Sequence, residues 1–378
     1  MSATWGRLRR LTAPERIDRD EIGGDTSTGE GSSVDRERLR RLLQSHRLCG
    51  YVDGESVAPE TAAFREWLDD ARREQTIRGL GLTETLYDAR AVLEGAGVES
   101  LSYKGPVASA VAYGDVGTRA YGDVDLLVSP GDFGPARKSL VEGGYEQVER
   151  LRGLGEVALR DERGHVVDLH RSILPRYLPH SLRFDEVWER RSRVDLGNGE
   201  VPALDPADRV VVNCVHGTKH CWYRLAWLRD LAALVATEHA DPERVRERAT
   251  AVGCRRQVLV GLWLADAVYD VSPPAWAETA LSGNMGVTAL GEGLLARLRD
   301  GEARPPSDRE QFRTQWRALS DWSDRAVYAT RVATIPSEAD VESVSLPPTL
   351  TPVYRAVRPV RLAVRYARSR SRAISPDG

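Results

Sequence analysis

The sequence predicts an α+β fold: a mixed sheet flanked by helices, with a helical N-terminal region before it and a helical C-terminal domain after it. Three observations predict this. From 34 to 97 and again from 201 to about 300, apolar residues recur at the three- and four-residue spacing of amphipathic helices. Between 98 and 200 that texture gives way to short apolar runs divided by glycine turns, as strands require. Finally, 378 residues with 41% apolar and 29% charged side chains describe a globular chain with room for about two domains.

Taken in order, residues 1–33 read as a disordered leader, because DRDEIGGDTSTGEGSSVDR is polar, acidic and rich in Gly and Ser. Ser32-Ser33-Val34-Asp35 then caps a helix carrying Leu39, Leu42 and Leu43. Pro59-Glu60 begins a second, with Phe64, Trp67, Leu68 and Ala71 on one stripe. A third carries Leu82, Leu86, Ala89 and Leu93 and stops at Gly95 or Gly97. In the core, 98–200, Leu101 to Lys104 reads as a strand and Pro106 to Tyr113 as a helix. Strand 123–128 follows, then a helix from Pro130-Gly131 to Gly143-Gly144. Val157 to Arg160 and His165 to His170 form a hairpin turned at Glu162-Arg163-Gly164. Asp205-Pro206-Ala207-Asp208 has an N-cap, a first-turn proline and an acid, and opens the helical domain 201–300. A peripheral helical or loop segment, 301–350, leads to an arginine-rich tail, 351–378, with seven arginines between Tyr354 and Arg372.

Composition excludes some classes. A net charge of −3 advertises no global basic field for nucleic acid. The N-terminus lacks the apolar core of a signal peptide, and the longest apolar run, Val258 to Val268, is too short to span a bilayer. Four irregularly spaced cysteines point to a reducing, cytoplasmic setting. Only Lys104, Lys138 and Lys219 are lysines, so each stands out.

The chemistry-bearing stretch is Asp123-Val124-Asp125-Leu126-Leu127-Val128. Residues i and i+2 of a strand share a face roughly 6.5–7 Å apart, so Asp123 and Asp125 repel each other. Either they are incidental acids at a solvated strand end, or they hold a divalent metal with a third carboxylate nearby. Asp168, set among valines and a leucine, is the candidate third acid, since burying it without a partner is costly. Crowding of this kind predicts that neutralising Asp125 leaves the fold intact or slightly more stable. Upstream, Lys104-Gly105-Pro106 lies at a strand-to-helix turn, where backbone N–H groups and a lysine cradle phosphate.

Together these motifs resemble the nucleotidyltransferase superfamily with the DNA polymerase β-like catalytic fold, and within it a poorly characterised bacterial and archaeal nucleotidyltransferase family. The resemblance rests on Lys104-Gly105, Arg119, Asp123-Val124-Asp125-Leu126-Leu127-Val128, Asp168-Leu169-His170 and the helical His216-Gly217-Thr218-Lys219-His220, and covers roughly residues 60–270. It implies metal-dependent transfer of a nucleoside monophosphate from an NTP to an acceptor hydroxyl, with pyrophosphate released. Asp123, Asp125 and Asp168 would be the catalytic, metal-binding acids for Mg²⁺ or Mn²⁺. Lys104, Gly105 and Arg119 would bind the triphosphate. One departure stands out: seventeen residues separate Gly105 from Asp123 and no serine follows the glycine, unlike the superfamily's Gly-Ser turn. The way the triphosphate is gripped is therefore less fixed by resemblance than the fold.

His216 and His220, one helical turn apart with Lys219 beside them, either face the cleft and contact the nucleotide or acceptor, or belong to a helix packed by Trp222, Trp227 and Leu231. At 100° per residue Cys214 and Cys221 fall on the side away from both histidines, which disfavours one zinc ion held by all four. The tail reads as a solvated face, a weak contact to an anionic surface, or an RNA contact. The acceptor class stays open among small molecule, protein and RNA. Two other functions stay open as well: a toxin-like tRNA-modifying nucleotidyltransferase, and a non-catalytic nucleotide-binding module.

Overall fold

The computed structural model describes residues 3–12, 33–52, 62–148, 155–236, 240–336, 340, 344 and 353–363. Seven strands form one mixed sheet: β1 (Ser100–Ser102), β2 (Asp123–Val128), β3 (Glu146–Val148), β4 (Glu156–Arg160), β5 (Val166–His170), β6 (Ser192–Asp195) and β7 (Glu200–Ala203), in the order β3-β4-β5-β2-β1-β7-β6. β2 runs parallel to β5 and antiparallel to β1. The hairpin expected around Gly164 is present as β4 and β5. The β6–β7 hairpin was not expected, although Gly197-Asn198-Gly199 is a turn signal of the usual kind. It extends the sheet by pairing β7 beside β1.

Three helices cover one face: α3 (Ala62–Gly95), α4 (Gly105–Tyr113) and α5 (Phe133–Glu142). Leu82, Leu86, Leu93, Val107 and Leu140 pack there on Val124, Leu126, Val128, Val167 and Leu169. The two helices expected between 59 and 97 are one continuous α3. Gly79 and Gly81 do not break it, because each marks a close approach. A Cβ at Gly79 would stand 2.4 Å from the Val116 carbonyl oxygen, and one at Gly81 2.7 Å from the His165 ring.

The other face meets the helical domain: α7 (Pro206–Lys219), α8 (Leu225–Ala236), α9 (Pro242–Val252), α10 (Arg255–Tyr269), α11 (Ala275–Leu281) and α12 (Met285–Arg299), with the short α6 (Phe184–Glu189) leading in. Asp205 caps α7 as expected, its carboxylate accepting from the Ala207 N–H. Leu101 and Leu127, paired across β1 and β2, join this second core.

Three boundaries differ from expectation. The leader contains an ordered helix, α1 (Ala3–Thr12), whose Trp5, Leu8 and Leu11 are buried against the helical domain; residues 13–32 lie outside the described residues. Arg9 bonds the Val268 carbonyl and pairs with Asp270 at 3.2 Å, so short-range composition was overruled by long-range packing. With α2 (Ser33–Ser45), α1 docks on the C-terminal helices rather than heading the sheet domain. The 301–350 segment is not peripheral: its helices α13 (Asp308–Ala318) and α14 (Trp322–Thr334) bring Phe312, Gln315 and Tyr328 to the central cavity. Nor is the described part of the arginine tail a freely solvated face, since Arg358 bonds the Val332 carbonyl and pairs with Asp340, which is fully buried. The tail beyond 363 lies outside the described residues. No described helix is long and apolar enough to cross a membrane.

Candidate active site

Strand register assembles the acids. β2 and β5 pair in parallel with Asp125 directly opposite Asp168 and Asp123 opposite Val166. Paired residues point to the same face, so all three carboxylates rise from one side, the side opposite Val124 and Val167. They line a cavity of about 930 Å³ between the sheet and the helical domain.

Beside them, Gly105 starts α4 with φ +51°, and a Cβ on it would come within 3.0 Å of the Asp123 carbonyl oxygen. The Lys-Gly turn is thus held against the acidic strand. Lys104 Nζ donates to Asp125 Oδ1 at 3.0 Å. His170 Nε2 lies 3.2 Å from the same oxygen, a charge contact whose angle falls short of a hydrogen bond. Burial would raise the Asp125 pKa, but the Lys104 and His170 charges hold it well below the usual carboxylate range. Burial alone would lower the His170 pKa, whereas Asp125 and Glu156 raise it to about 9. Asp123 moves the opposite way from Asp125: burial, then the Asp125 charge, raises its pKa. The crowding read in the sequence therefore falls on Asp123. Asp125 is the well-partnered member, so its contacts argue for a cost on neutralising it, where crowding alone argued for none.

Among the described residues no three Asp, Glu, His or Cys side chains are already gathered around one point as ligands of an ion. Two cationic groups, Lys104 and His170, instead converge on Asp125, while Asp168 faces it from the next strand. Carboxylate oxygens are the donors a hard divalent cation takes, and such an ion would have to displace Lys104 and His170 from Asp125.

Arg119 lines the cavity but is committed elsewhere, its Nε donating to Asp230 Oδ2 at 2.7 Å. Asp230 also accepts from Tyr113 and Tyr51 at 2.5 and 3.3 Å, and the Arg229 guanidinium stacks over both rings at 4.5 and 4.1 Å. This buried node ties α4, α8 and the Cys49–Tyr51 turn together. It makes Arg119 a tether between these elements.

His216, Lys219 and His220 all face the cavity. The histidine rings lie 4.7 Å apart, and both contact Trp227 at 5.1 Å, so the cleft-facing and packed-helix readings hold together. Burial, and next Lys104, push the His216 pKa well down; burial and Lys219 push His220 to about 3. Both rings are therefore neutral at pH 7, and burial and then Lys104 lower the pKa of Lys219. Cys214 and Cys221 are buried away in the core as free thiols.

Sequence reasoning missed Arg47, Glu156, Arg224 and Tyr223, which line the same cavity. Arg47 follows α2 in the left-handed region, φ +58°, a position usually given to glycine, so no motif flags it. Glu156 sits opposite His170 across β4 and β5, with Oε2 3.5 Å from Nδ1. The Asp168-Leu169-His170 triplet was the signal available for that contact.

No curated protein matches the chain. Three solved structures share limited likeness with it. A crystal structure of the lincosamide antibiotic adenylyltransferase LnuA with lincomycin bound is 14% identical, covering 34% of this chain and 83% of that one at a TM-score of 0.26. A solution structure of the antibiotic-resistance factor ANT(2'')-Ia is 13% identical, covering 46% and 92% at 0.35. An antigenic nucleotidyltransferase-like protein from Paracoccidioides brasiliensis is 13% identical, covering 52% and 92% at 0.28. Alignments this loose leave the assignment to the family match. The model of the family described as uncharacterised nucleotidyltransferase matches residues 32–270, more than half of the chain, and the protein belongs to that family.

Proposed function

We propose that the protein transfers a nucleoside monophosphate from an NTP to an acceptor hydroxyl. One observation carries the reading: the parallel register that sets Asp125 against Asp168, with Asp123 on the same face, at the floor of a cavity walled by cations. Asp123, Asp125 and Asp168 are the residues to hold Mg²⁺ or Mn²⁺, which when bound supplies positive charge to the phosphate oxygens. Lys219, Arg47 and Arg224 line the same cavity and would orient the β- and γ-phosphates and favour the charge that builds on the leaving pyrophosphate. Lys104 joins them as its contact with Asp125 is exchanged for phosphate. Asp168 takes the acceptor's hydroxyl proton; the acceptor oxygen bonds to the α-phosphorus; the bond from that phosphorus to the bridging oxygen breaks; and pyrophosphate departs with that electron pair.

The test is incubation with each α-labelled NTP, Mg²⁺ or Mn²⁺, and fractions of small molecules, proteins or RNA. Label transferred by wild type and absent with Asp123→Asn supports the reading. Equal transfer by Asp123→Asn removes the acids from catalysis. NTP binding without any transfer would favour a nucleotide-binding module.

A further inference from the structure

A second cavity of about 620 Å³ adjoins the first, and Ser172, Leu174, Arg176, Arg331 and Ile335 line both. Among the described residues its lining adds Arg355 and His180 and includes no aspartate or glutamate. Arg176, from the loop after β5, Arg331 of α14 and Arg355 of helix 354–363 come from three separate parts of the chain. They are close enough that burial and then the neighbouring guanidinium charges, Arg331 and Arg355 among them, depress the Arg176 pKa.

Elsewhere on the same helix the structure treats arginine differently. Arg358 and Arg361 both pair with the fully buried Asp340. Arg331 instead donates to backbone carbonyls, those of Leu178 and, at 3.4 Å, Arg176, which orient its guanidinium while leaving its charge in place. Like charges gathered around a hollow whose described lining holds no acid raise the potential there, and planar guanidinium groups match the oxygens of phosphate and carboxylate. His180 is buried, and burial lowers its pKa, so it is neutral and adds no charge of its own.

The position is informative. Ser172, in the shared wall, is four residues beyond Asp168 along and past β5. The geometry points to an acceptor that bears an anionic group, phosphate or carboxylate, seated among Arg176, Arg331 and Arg355 while its hydroxyl end reaches Asp168 along the shared wall. This rests on the transfer reaction proposed above and names the acceptor class as a small anion.

Calorimetric titration with glycerol 3-phosphate, glycerate and glycerol separates the cases, using wild type, Arg355→Glu, Arg355→Ala and Lys219→Ala. Arg355 is exposed, so its replacement does not threaten the core. One or both anions bind wild type and glycerol does not; the anion that binds more tightly identifies phosphate or carboxylate. Arg355→Ala weakens that binding about tenfold and Arg355→Glu more, towards a hundredfold, as expected for loss of a charge-assisted contact. Absence of anion binding to wild type overturns the inference. So does affinity unchanged in Arg355→Glu, or lost only in Lys219→Ala, which would place the anion on the proposed triphosphate wall. The catalytic reading is followed separately by α-labelled transfer in wild type and Asp123→Asn. Failure there leaves the anion titrations standing, and failure of the titrations leaves the transfer standing.

Discussion

The two faces of β2 are built from alternate residues of six consecutive positions, yet they obey different rules. Val124, Leu126 and Val128 face α3, α4 and α5 in a wholly apolar layer, each at most 1% exposed. Asp123, Asp125 and Leu127 face the helical domain, and there only Leu127 joins a core. The apolar face fixes the height and register of the strand, and the acidic face uses that register. The carboxylates can be crowded because the opposite face holds them in place.

The largest effect expected from breaking this division is on activity. Asp123→Asn should lower transfer by about 10³-fold, the several kcal/mol that a metal-binding carboxylate contributes. Its melting temperature should stay level or rise, because the charge removed is the one that burial and Asp125 disfavour. Label transfer and thermal melts on one preparation check both halves; a protein that both unfolds and loses activity would make Asp123 a structural residue.

Asp125→Asn should cost stability, about 3–5 kcal/mol, because it strands Lys104 and His170 without their shared carboxylate. Leu126→Ala on the opposite face should cost a comparable 2–5 kcal/mol by leaving a cavity, with the acids' chemistry untouched in the fraction that stays folded. Urea melts of the two variants compare the faces directly. If Asp125→Asn is neutral while Leu126→Ala is costly, the Lys104–Asp125–His170 group contributes nothing net to the fold.

The cover over the acidic face has its own weak point. His46 is 1% exposed, with Nε2 2.9 Å from the Gly301 carbonyl oxygen and Nδ1 accepting from the Leu225 N–H at 3.2 Å. Both ring nitrogens are satisfied only in the neutral form. Burial lowers the pKa from 6.5 to about 4. The unfolded chain therefore takes up the proton first as pH falls. The associated stability, about 3 kcal/mol, is complete above pH 6.5 and is lost as pH falls towards 4. Denaturant melts across that range should show the slope in wild type, and its absence from the difference between wild type and His46→Asn would remove the assignment.

Gly105→Ala should give the smallest change, about 1–2 kcal/mol from the left-handed backbone. Its methyl would press on the Asp123 carbonyl oxygen, so transfer should fall more than the melt alone explains. A loss of activity no larger than the loss of folded protein would mean that the turn only connects β1 to α4.

Much of this was legible in the chain. Alternation over 123–128 predicted a strand with two faces, Asp205-Pro206 predicted the start of α7, and the spacing of Lys104-Gly105, Asp123, Asp125 and Asp168 marked residues that all line one cavity. These signals are local: a period, a cap, a charge where apolar residues surround it. The α1 helix, the continuity of α3 through Gly79 and Gly81, and the inward position of α13 and α14 were not legible. Each depends on a partner hundreds of residues away or on a close approach between distant segments.

By itself the sequence determined which side chains could carry chemistry: the three acids, the few lysines, the histidine pair. Only the tertiary structure decided how their charges are shared. Lys104 and His170 partner Asp125 and leave Asp123 crowded; Asp230 claims Arg119; and three arginines distant in sequence line a hollow with no acid among its described residues. The reason is that charge interaction depends on distance and burial, and the chain's order specifies neither until the helices close over the sheet.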